Sequence, residues 1–281
     1  MVVISVILPV RDGLPWLEDQ LVALAGQRFD RPWELVVVDN GSTDGSRALA
    51  ERWAVRHEWI TVLDAGHLDG VSAARNAGAR IARGDSLAFC DADDEVAPGW
   101  LDAFTTALRG ADVVAGVFDL TSLNGLPPSQ PRAASTGQLP HLPAGLAANL
   151  ALRRTAFEEV GGFAVDLVTG EDIDLCWRVQ ESGGRFALAE GAVVAKRERD
   201  GFREVFSRAA AYGRGAPILY RRHRSAGARR DLRGAARTWL WLVVHLPDLR
   251  RPGPGRTAWA RGAGVRTGRL VGSMRERVFY P

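Results

Sequence analysis

Short apolar runs rich in β-branched residues alternate with amphipathic stretches through roughly the first 120 residues, and this alternation is the chain's strongest structural signal. Five such runs predict strands over 2–8, 34–39, 61–63, 86–91 and 112–117. Between them the apolar period lengthens to that of a helix over 14–27, which opens with Pro15, and over 44–57, preceded by the capping candidates Ser42 and Thr43. Helical patterns also cover 72–83 and 98–109, the latter with Pro98 near its first helical position. Strands spaced by helices in this way predict βαβ units and a doubly wound, mostly parallel sheet flanked by helices. Ligands of such sheets bind beyond the carboxyl ends of the strands. The polar clusters Arg11-Asp12, Asp39-Asn40-Gly41 and Asp91-Ala92-Asp93-Asp94 all fall at those ends.

Residues 121–146 break the pattern with Pro127, Pro128, Pro131, Pro140 and Pro143 among Ser, Gly, Asn and Gln. So long an irregular connection is either a linker between domains or a flap over a site. A short strand over 145–152, a helical turn over 155–160 and a break at Gly161-Gly162-Phe163 follow. A helix over 172–182 then ends at Gly183-Gly184. From Phe202 onward the pattern is helical and rich in arginine, and no internal repeat is visible.

With 281 residues, 46% hydrophobic and 25% charged, the chain can bury a core and is neither disordered nor membrane-embedded in composition. Residues 1–10 run straight into the turn Arg11-Asp12-Gly13 without the charged flank and cleavage site of a signal peptide, so they read as a buried first strand. The apolar run 239–244 is far shorter than the roughly 20 residues a spanning helix needs. Cys90 and Cys176 lie in apolar stretches without ligand spacing and read as buried thiols, which leads us to expect a reducing, cytoplasmic setting. Charge is divided sharply: residues 1–195 carry 15 basic and 27 acidic side chains, residues 196–281 carry 21 and 6. Of the 36 basic residues only Lys196 is lysine.

Three groups of residues carry candidate chemistry. Asp91, Asp93 and Asp94 follow the apolar lead-in Ser86-Leu87-Ala88-Phe89-Cys90, and their crowded charge needs an offset. A hard divalent cation supplies one, since Mg²⁺ prefers one or two carboxylates plus the phosphate oxygens of its substrate. The alternative is capping of the helix announced by Pro98-Gly99-Trp100. Asp39 ends a strand ahead of a glycine-containing turn and can accept hydrogen bonds from a ribose hydroxyl or a base N–H. No Gly-Lys-Ser/Thr follows it, so this is not a Walker loop, and no GxGxxG stands where a dinucleotide site needs one. The small residues of Gly70-Val71-Ser72-Ala73-Ala74-Arg75-Asn76-Ala77-Gly78 let a backbone or a ligand approach closely, or else serve plain helix packing with an exposed Arg75.

In this order the segments resemble the family 2 glycosyltransferases, which have the GT-A fold. The resemblance runs from Ser5-Val6-Ile7-Leu8-Pro9-Val10 through Val38-Asp39-Asn40-Gly41-Ser42-Thr43-Asp44, Ala74-Arg75-Asn76-Ala77-Gly78 and Asp91-Ala92-Asp93-Asp94. It continues to Asn149-Leu150-Ala151-Leu152-Arg153-Arg154, Val160-Gly161-Gly162-Phe163 and Gly170-Glu171-Asp172-Ile173-Asp174-Leu175-Cys176-Trp177-Arg178. It implies that Asp39 and Arg75, with Asp12 beside them, help hold the nucleotide base of a nucleotide-sugar co-substrate. It implies that Asp91 contacts the ribose or metal side and that Asp93 coordinates the Mg²⁺ or Mn²⁺ bridging the two phosphates. It further implies that Asp172 takes the proton of the acceptor hydroxyl as that oxygen attacks the anomeric carbon with inversion, while Glu171 orients the acceptor or shares the proton. Independently of the resemblance, a carboxylate in the first turn of a helix is favoured in the ionised form a base requires.

One departure stands out. Where many relatives place a histidine able to join the metal-diphosphate site, this chain has Lys196, which either pairs with the diphosphate directly or begins the basic tail. The implied organisation is a nucleotide-sugar-binding α/β half over 1–120, an acceptor-side half over 121–200 and a helical basic region over 201–281. The tail's Arg221-Arg222-His223-Arg224 and Trp239-Leu240-Trp241 suit either peripheral contact with the inner face of a membrane, with a lipid-linked hydroxyl acceptor, or docking on an acidic protein surface. Nucleic acid is not an expected partner, because no recognition module or aromatic stacking set is present. The competing class is a catalytically silent GT-A-like subunit that binds a nucleotide or a partner enzyme. Nucleotidyl transfer is disfavoured by the lack of a Gly-rich, Lys-containing loop after the first strand.

Overall fold

The computed structural model describes residues 3–127, 129–133, 139–198, 201–250 and 253–281, so Val2 and Pro128 of the sequence reading lie outside the described residues. These residues fall into two compact units, one drawn from 3–133, 143–166 and 171–198, the other from 139–142, 167–170 and 201–281.

The larger unit begins with β1 (Ile4–Val10), α1 (Leu17–Ala25), β2 (Trp33–Asp39), α2 (Ser46–Arg56), β3 (Ile60–Asp64), α3 (Gly70–Ile81) and β4 (Ser86–Cys90). It continues with β5 (Glu95–Val96), α4 (Trp100–Ala107), β6 (Val113–Asp119), β7 (Arg132–Ala133), β8 (Asn149–Arg153), α5 (Arg154–Glu159), α6 (Glu171–Glu181) and β9 (Phe186–Ala195). The strands form one sheet in the order β3-β2-β1-β4-β8-β6-β9-β5, with β7 paired to β6. Every residue of β1 is buried, as the near-continuous apolar run of a strand covered on both faces requires. β3, β2, β1 and β4 are parallel, whereas β8 runs antiparallel to both neighbours, β4 and β6. β9 pairs parallel with β6 and antiparallel with β5.

The small residues of α3 serve the sheet. A Cβ on Gly78 would stand 2.7 Å from side-chain methyls of both Ile7 and Val38, so only glycine lets the helix seat at that depth on β1 and β2. On the far side a single buried amide ties three strands together. Asn149 accepts from Trp100 Nε1 at 2.9 Å and donates to the carbonyls of Val117 and Ala192, each at 2.9 Å. Gly116, at the irregularity in β6, leaves room for it, since a Cβ there would lie 2.3 Å from the Ala192 carbonyl.

Several local expectations change. Ser42 and Thr43 do not cap α2, whose N-cap position is Gly45 at φ 98°. Ser42 Oγ accepts from Asp12 N, and Thr43 donates from its N and Oγ1 to the Asp12 carboxylate, so both belong to the turn that holds Asp12. Asp44 lies in the turn before α2 and accepts from Leu14 N and Ser46 N. β9 was not anticipated: Glu190-Gly191 interrupts its apolar run, and Leu188, Glu190 and Gly191 are exposed. Cys90 and Cys176 are free and buried.

The smaller unit contains α7 (Phe202–His223), α8 (Leu232–Val244) and α9 (Pro254–Glu276). α7 and α9 cross at glycines. Added Cβ atoms on Gly264 and Gly268 would lie 2.5 and 2.1 Å from the carbonyls of Phe206 and Ala210. Among the described residues, no helix is long and apolar enough to cross a membrane.

Candidate active site

The carboxyl ends of β2, β1 and β4 are adjacent, and the site is built on that edge. The end of β8 that faces it is its beginning, because Asn149 pairs with Cys90, the last residue of β4. β6 and β9 end there too, with Asp119 opposite Ala195. A mixed sheet therefore gathers on one edge loops far apart in the chain.

The loop after β4 is held at both sides by the fully buried Gln20 of α1. Its Nε2 donates to the Asp91 carbonyl at 2.9 Å and its Oε1 accepts from Val96 N at 3.0 Å. The carboxylates of Asp91, Asp93 and Asp94 carry oxygens within 4.8 Å of one another. Asp94 is buried, and burial lifts its carboxyl to about 6 although Lys196 pulls the other way. Lys196 Nζ donates to Asp94 Oδ2 at 2.8 Å and lies 3.9 Å from Asp91 Oδ2, while Arg197 N donates to Asp94 Oδ1 at 3.0 Å. Burial opposes the Lys196 ammonium, yet Asp91 and Asp94 outweigh it and hold the group above its ordinary value. Lys196 follows β9 directly and donates its backbone N–H to the Asp119 carbonyl, which fixes it in the acidic cluster.

The second acidic pair opens α6. Arg75 joins it to the first: Nη1 donates to Glu171 Oε1 at 2.9 Å and Nη2 to Asp91 Oδ1 at 3.1 Å, with the guanidinium carbon 5.4 Å from the Phe163 ring centre. Arg75 is 5% exposed, so the reading of it as a surface arginine fails. The resemblance puts it on the nucleotide base, whereas here both terminal nitrogens are engaged by the two acidic loops. Its neighbour Asn76 exchanges a pair of hydrogen bonds with the backbone of Phe163, at 2.8 and 2.9 Å, and so fixes the Gly161-Gly162-Phe163 turn.

Asp172 Oδ2 accepts from Ala147 N at 3.1 Å and its Oδ1 accepts from Ile173 N at 2.8 Å. These N–H groups favour the carboxylate, as the helix-start argument expects, but burial outweighs them and raises its pKa. Burial and then the Asp172 charge raise Glu171 as well, against the pull of Arg75. Asp39, buried at the end of β2, accepts from Ser42 N at 3.3 Å. Asp12, exposed and at φ 50°, accepts from Thr43 N at 2.7 Å. These two occupy the neighbouring turn at the ends of β1 and β2. Arg75, Asp91, Asp93, Lys196 and Glu171 thus converge, with Asp172 adjoining. Gln20 and Arg197 were not foreseen; a glutamine among the apolar positions of α1 was the available signal for the first.

The model of glycosyl transferase family 2 matches residues 5–165, which carry β1 to α5 and with them the Asp39, Arg75 and Asp91–Asp94 positions. The chain belongs to glycosyl transferase family 2. A second model, glycosyl transferase family group 2, matches residues 132–261. The chain is 31% identical over 260 residues to the pre-mycofactocin glycosyltransferase of Mycobacterium tuberculosis, an alignment covering 86% of this chain and 53% of the relative. It thus spans about half the length of that relative. It is 27% identical to glycosyltransferase AglE of Haloferax volcanii, over 89% of this chain and 86% of AglE. Among solved structures it resembles the mannosyltransferase PcManGT of Pyrobaculum calidifontis in complex with GDP-Man and Mn²⁺, at TM-score 0.67 and 20% identity over 96% of this chain and 86% of that one. It also resembles S. aureus TarS 1-349 in complex with UDP-GlcNAc, at TM-score 0.56 and 20% identity over 99% and 93%. The larger unit is therefore the GT-A fold expected of a family 2 chain.

The acidic cluster fits a hard divalent cation such as the Mn²⁺ of the PcManGT complex. Its donors are all carboxylate oxygens, the ligand type that Mg²⁺ or Mn²⁺ takes one or two of alongside substrate phosphates.

Proposed function

We propose that this family 2 chain moves a sugar from a nucleoside diphosphate donor to an acceptor hydroxyl, with inversion at the anomeric carbon. The observation that carries the reading is Arg75, whose two terminal nitrogens clasp Asp91 in one acidic loop and Glu171 in the other. A leaving-group site and a base site need such a fixed spacing, because positioning two reactants supplies much of the catalysis in a transfer of this kind.

Asp12 and Asp39 present acceptors on the turn that would take the nucleoside, and Asp91 and Asp93 would hold the cation. A divalent cation, when bound, offsets the negative charge that develops on the departing diphosphate. Lys196, anchored on Asp94, adds a fixed positive charge beside the same phosphates. On the acceptor side Asp172 takes the hydroxyl proton. The acceptor oxygen bonds to the anomeric carbon as the bond from that carbon to the diphosphate breaks, and the nucleoside diphosphate leaves. Burial raises the Asp172 carboxyl above its ordinary value, so its ionised form is a stronger base than an exposed aspartate. Glu171, bound to Arg75, orients the acceptor or shares the proton. We read the acceptor as lipid-linked and presented at the inner face of the cytoplasmic membrane, on the strength of the arginine-rich smaller unit.

The test is Asp172→Asn, with UDP-, GDP- and dTDP-sugars screened as donors. Transfer or donor hydrolysis should fall by about 10²–10⁴ while donor affinity and thermal midpoint hold, the range expected for loss of a general base. An undiminished rate removes Asp172 as the base. Tight nucleotide binding with no turnover by the unsubstituted chain on any acceptor supports the silent-subunit reading instead.

A further inference from the structure

α8 has two unlike sides. One buries Ala235 and Leu242, and the Leu242 carbonyl accepts a hydrogen bond from Trp259 Nε1 at 2.9 Å, so this side holds the helix in the smaller unit. Asp231 caps its start by accepting from Gly234 N at 2.8 Å. The other side and the turn after it present Trp239, Leu240, Val243, Val244 and Leu246, which are 40–65% exposed. Positions 239, 240, 243 and 244 recur at i, i+1, i+4 and i+5 and so form one stripe rather than scattered apolar residues. Single exposed apolar side chains need no explanation, but a contiguous stripe does.

The charges around the stripe select the occupant. Arg233 and Arg237 are exposed on the preceding turns, and residues 232–247 contain no Asp or Glu. Residues 201–281 as a whole carry 18 arginines against 4 acidic residues. A second copy of the chain meeting this stripe about a two-fold axis would bring Arg233 and Arg237 toward their own copies, with Asp231 and Asp248 at the two ends of the segment as its acidic residues. An anionic lipid surface supplies both what the stripe and what the arginines require: an acyl boundary for Trp, Leu and Val, and phosphates for guanidinium groups on long, flexible stems.

We propose that the exposed face of α8 seats the chain on an anionic bilayer surface, with Trp239, Leu240 and Val243 at the acyl boundary and Arg233 and Arg237 on headgroup phosphates. The helix lies along the surface and does not span, in keeping with its 13 residues. The inference deepens the reading of a membrane-presented acceptor and rests on it only for the biological purpose of the contact.

Co-sedimentation of the full chain with vesicles tests it without any need for turnover. The two vesicle types are phosphatidylcholine alone and phosphatidylcholine with about 30 mol% phosphatidylglycerol, in about 0.1 M NaCl so that charge is only partly screened. The chain should partition onto the anionic vesicles at least about tenfold more strongly than onto the neutral ones. Leu240→Glu with Val243→Glu should lower that binding by about tenfold or more. Arg233→Gln with Arg237→Gln should reduce the preference for anionic lipid. Both pairs lie on the exposed side, so circular dichroism and thermal midpoint should be unchanged. The proposal is overturned if the unsubstituted chain stays in the supernatant with both vesicle types, or if the double Glu variant binds as well as it does. It is equally overturned if sedimentation velocity shows a dimer that the double Glu variant abolishes, which assigns the face to a second copy. Loss of vesicle binding with donor binding intact sinks this inference alone, whereas absence of donor binding with vesicle binding intact sinks only the transfer reading.

Discussion

Lys196→Met tests how far this chain uses its own ammonium in place of a second metal contact. The substitution keeps length and apolar stem while removing the charge 2.8 Å from Asp94 and 3.9 Å from Asp91. The three carboxylates lie within 4.8 Å of one another, so a cation they share is on the order of 5 Å from that ammonium. Repulsion between a dication and a unit charge at roughly 5 Å is about 1.7 kcal/mol even at the permittivity of water, or about 15-fold in affinity, and a partly buried site raises it. At a pH high enough to keep Asp94 ionised without its ammonium, Mn²⁺ should therefore bind Lys196→Met about tenfold more tightly than the unsubstituted chain, read by electron paramagnetic resonance of free Mn²⁺ without any donor present. Nucleoside diphosphate binding in chelator should move the opposite way and weaken about tenfold, because the fixed positive charge beside the phosphates is gone. Asp94 loses its strongest partner and keeps Arg197 N, so some stability is lost. Asp94→Asn in the Lys196→Met background removes that burden and separates folding from cation binding. Unchanged Mn²⁺ affinity in a folded Lys196→Met protein would refute the reasoning, since the ammonium would then lie outside the field of the cation.

Two further outcomes follow from the same contacts. Arg75→Met leaves Asp91 and Glu171 facing each other's loops without their shared cation, and should cost about 3–5 kcal/mol by urea denaturation, as removal of one partner of a buried pair does; Arg75→Lys should recover only part, because an ammonium lacks the fork that reaches both acids, and a loss under about 1 kcal/mol would mean the clasp is not structural. Glu34, buried under Ser5 Oγ at 2.6 Å and Arg83 Nε at 2.8 Å, has its pKa lowered because these partners outweigh desolvation. Its contribution is therefore present above the unfolded value near 4.5 and is lost as pH falls through the lower folded value. Glu34→Gln should be destabilising at pH 7 and show a flatter stability profile below that point; parallel profiles for the two proteins would remove Glu34 as a source of acid sensitivity.

The parallel half of the sheet was legible because β1, β2 and β4 carry the continuous apolar runs Val6-Ile7-Leu8, Leu35-Val36-Val37-Val38 and Leu87-Ala88-Phe89-Cys90, the mark of strands covered on both faces. The direction of β8 was not, since the three-residue apolar run Leu150-Ala151-Leu152 reads the same in either sense. β9 escaped because Glu190-Gly191 at its middle splits its apolar residues into two short runs. The acids at the strand ends were visible for a simple reason: a polar cluster after a buried run can only be a turn at the edge of the sheet. What neutralises those acids was hidden, because the partners arrive from elements far along the chain. Lys196 reaches Asp94 across 102 positions and Arg75 reaches Glu171 across 96.

Those two long-range pairs also change what the site asks of a cofactor. Read alone, Asp91, Asp93 and Asp94 are a concentration of negative charge that only a metal seems able to offset. In the folded chain Asp94 has Lys196 and the Arg197 N–H, and Asp91 has Arg75, so much of the compensation is already covalently part of the protein. A site with its own fixed cations needs less from a metal to hold its acids in place and can reserve the metal's charge for the phosphates. Arg75 adds a mechanical consequence. It holds the segment after β4 that carries Asp91 to the start of α6, where Glu171 precedes Asp172.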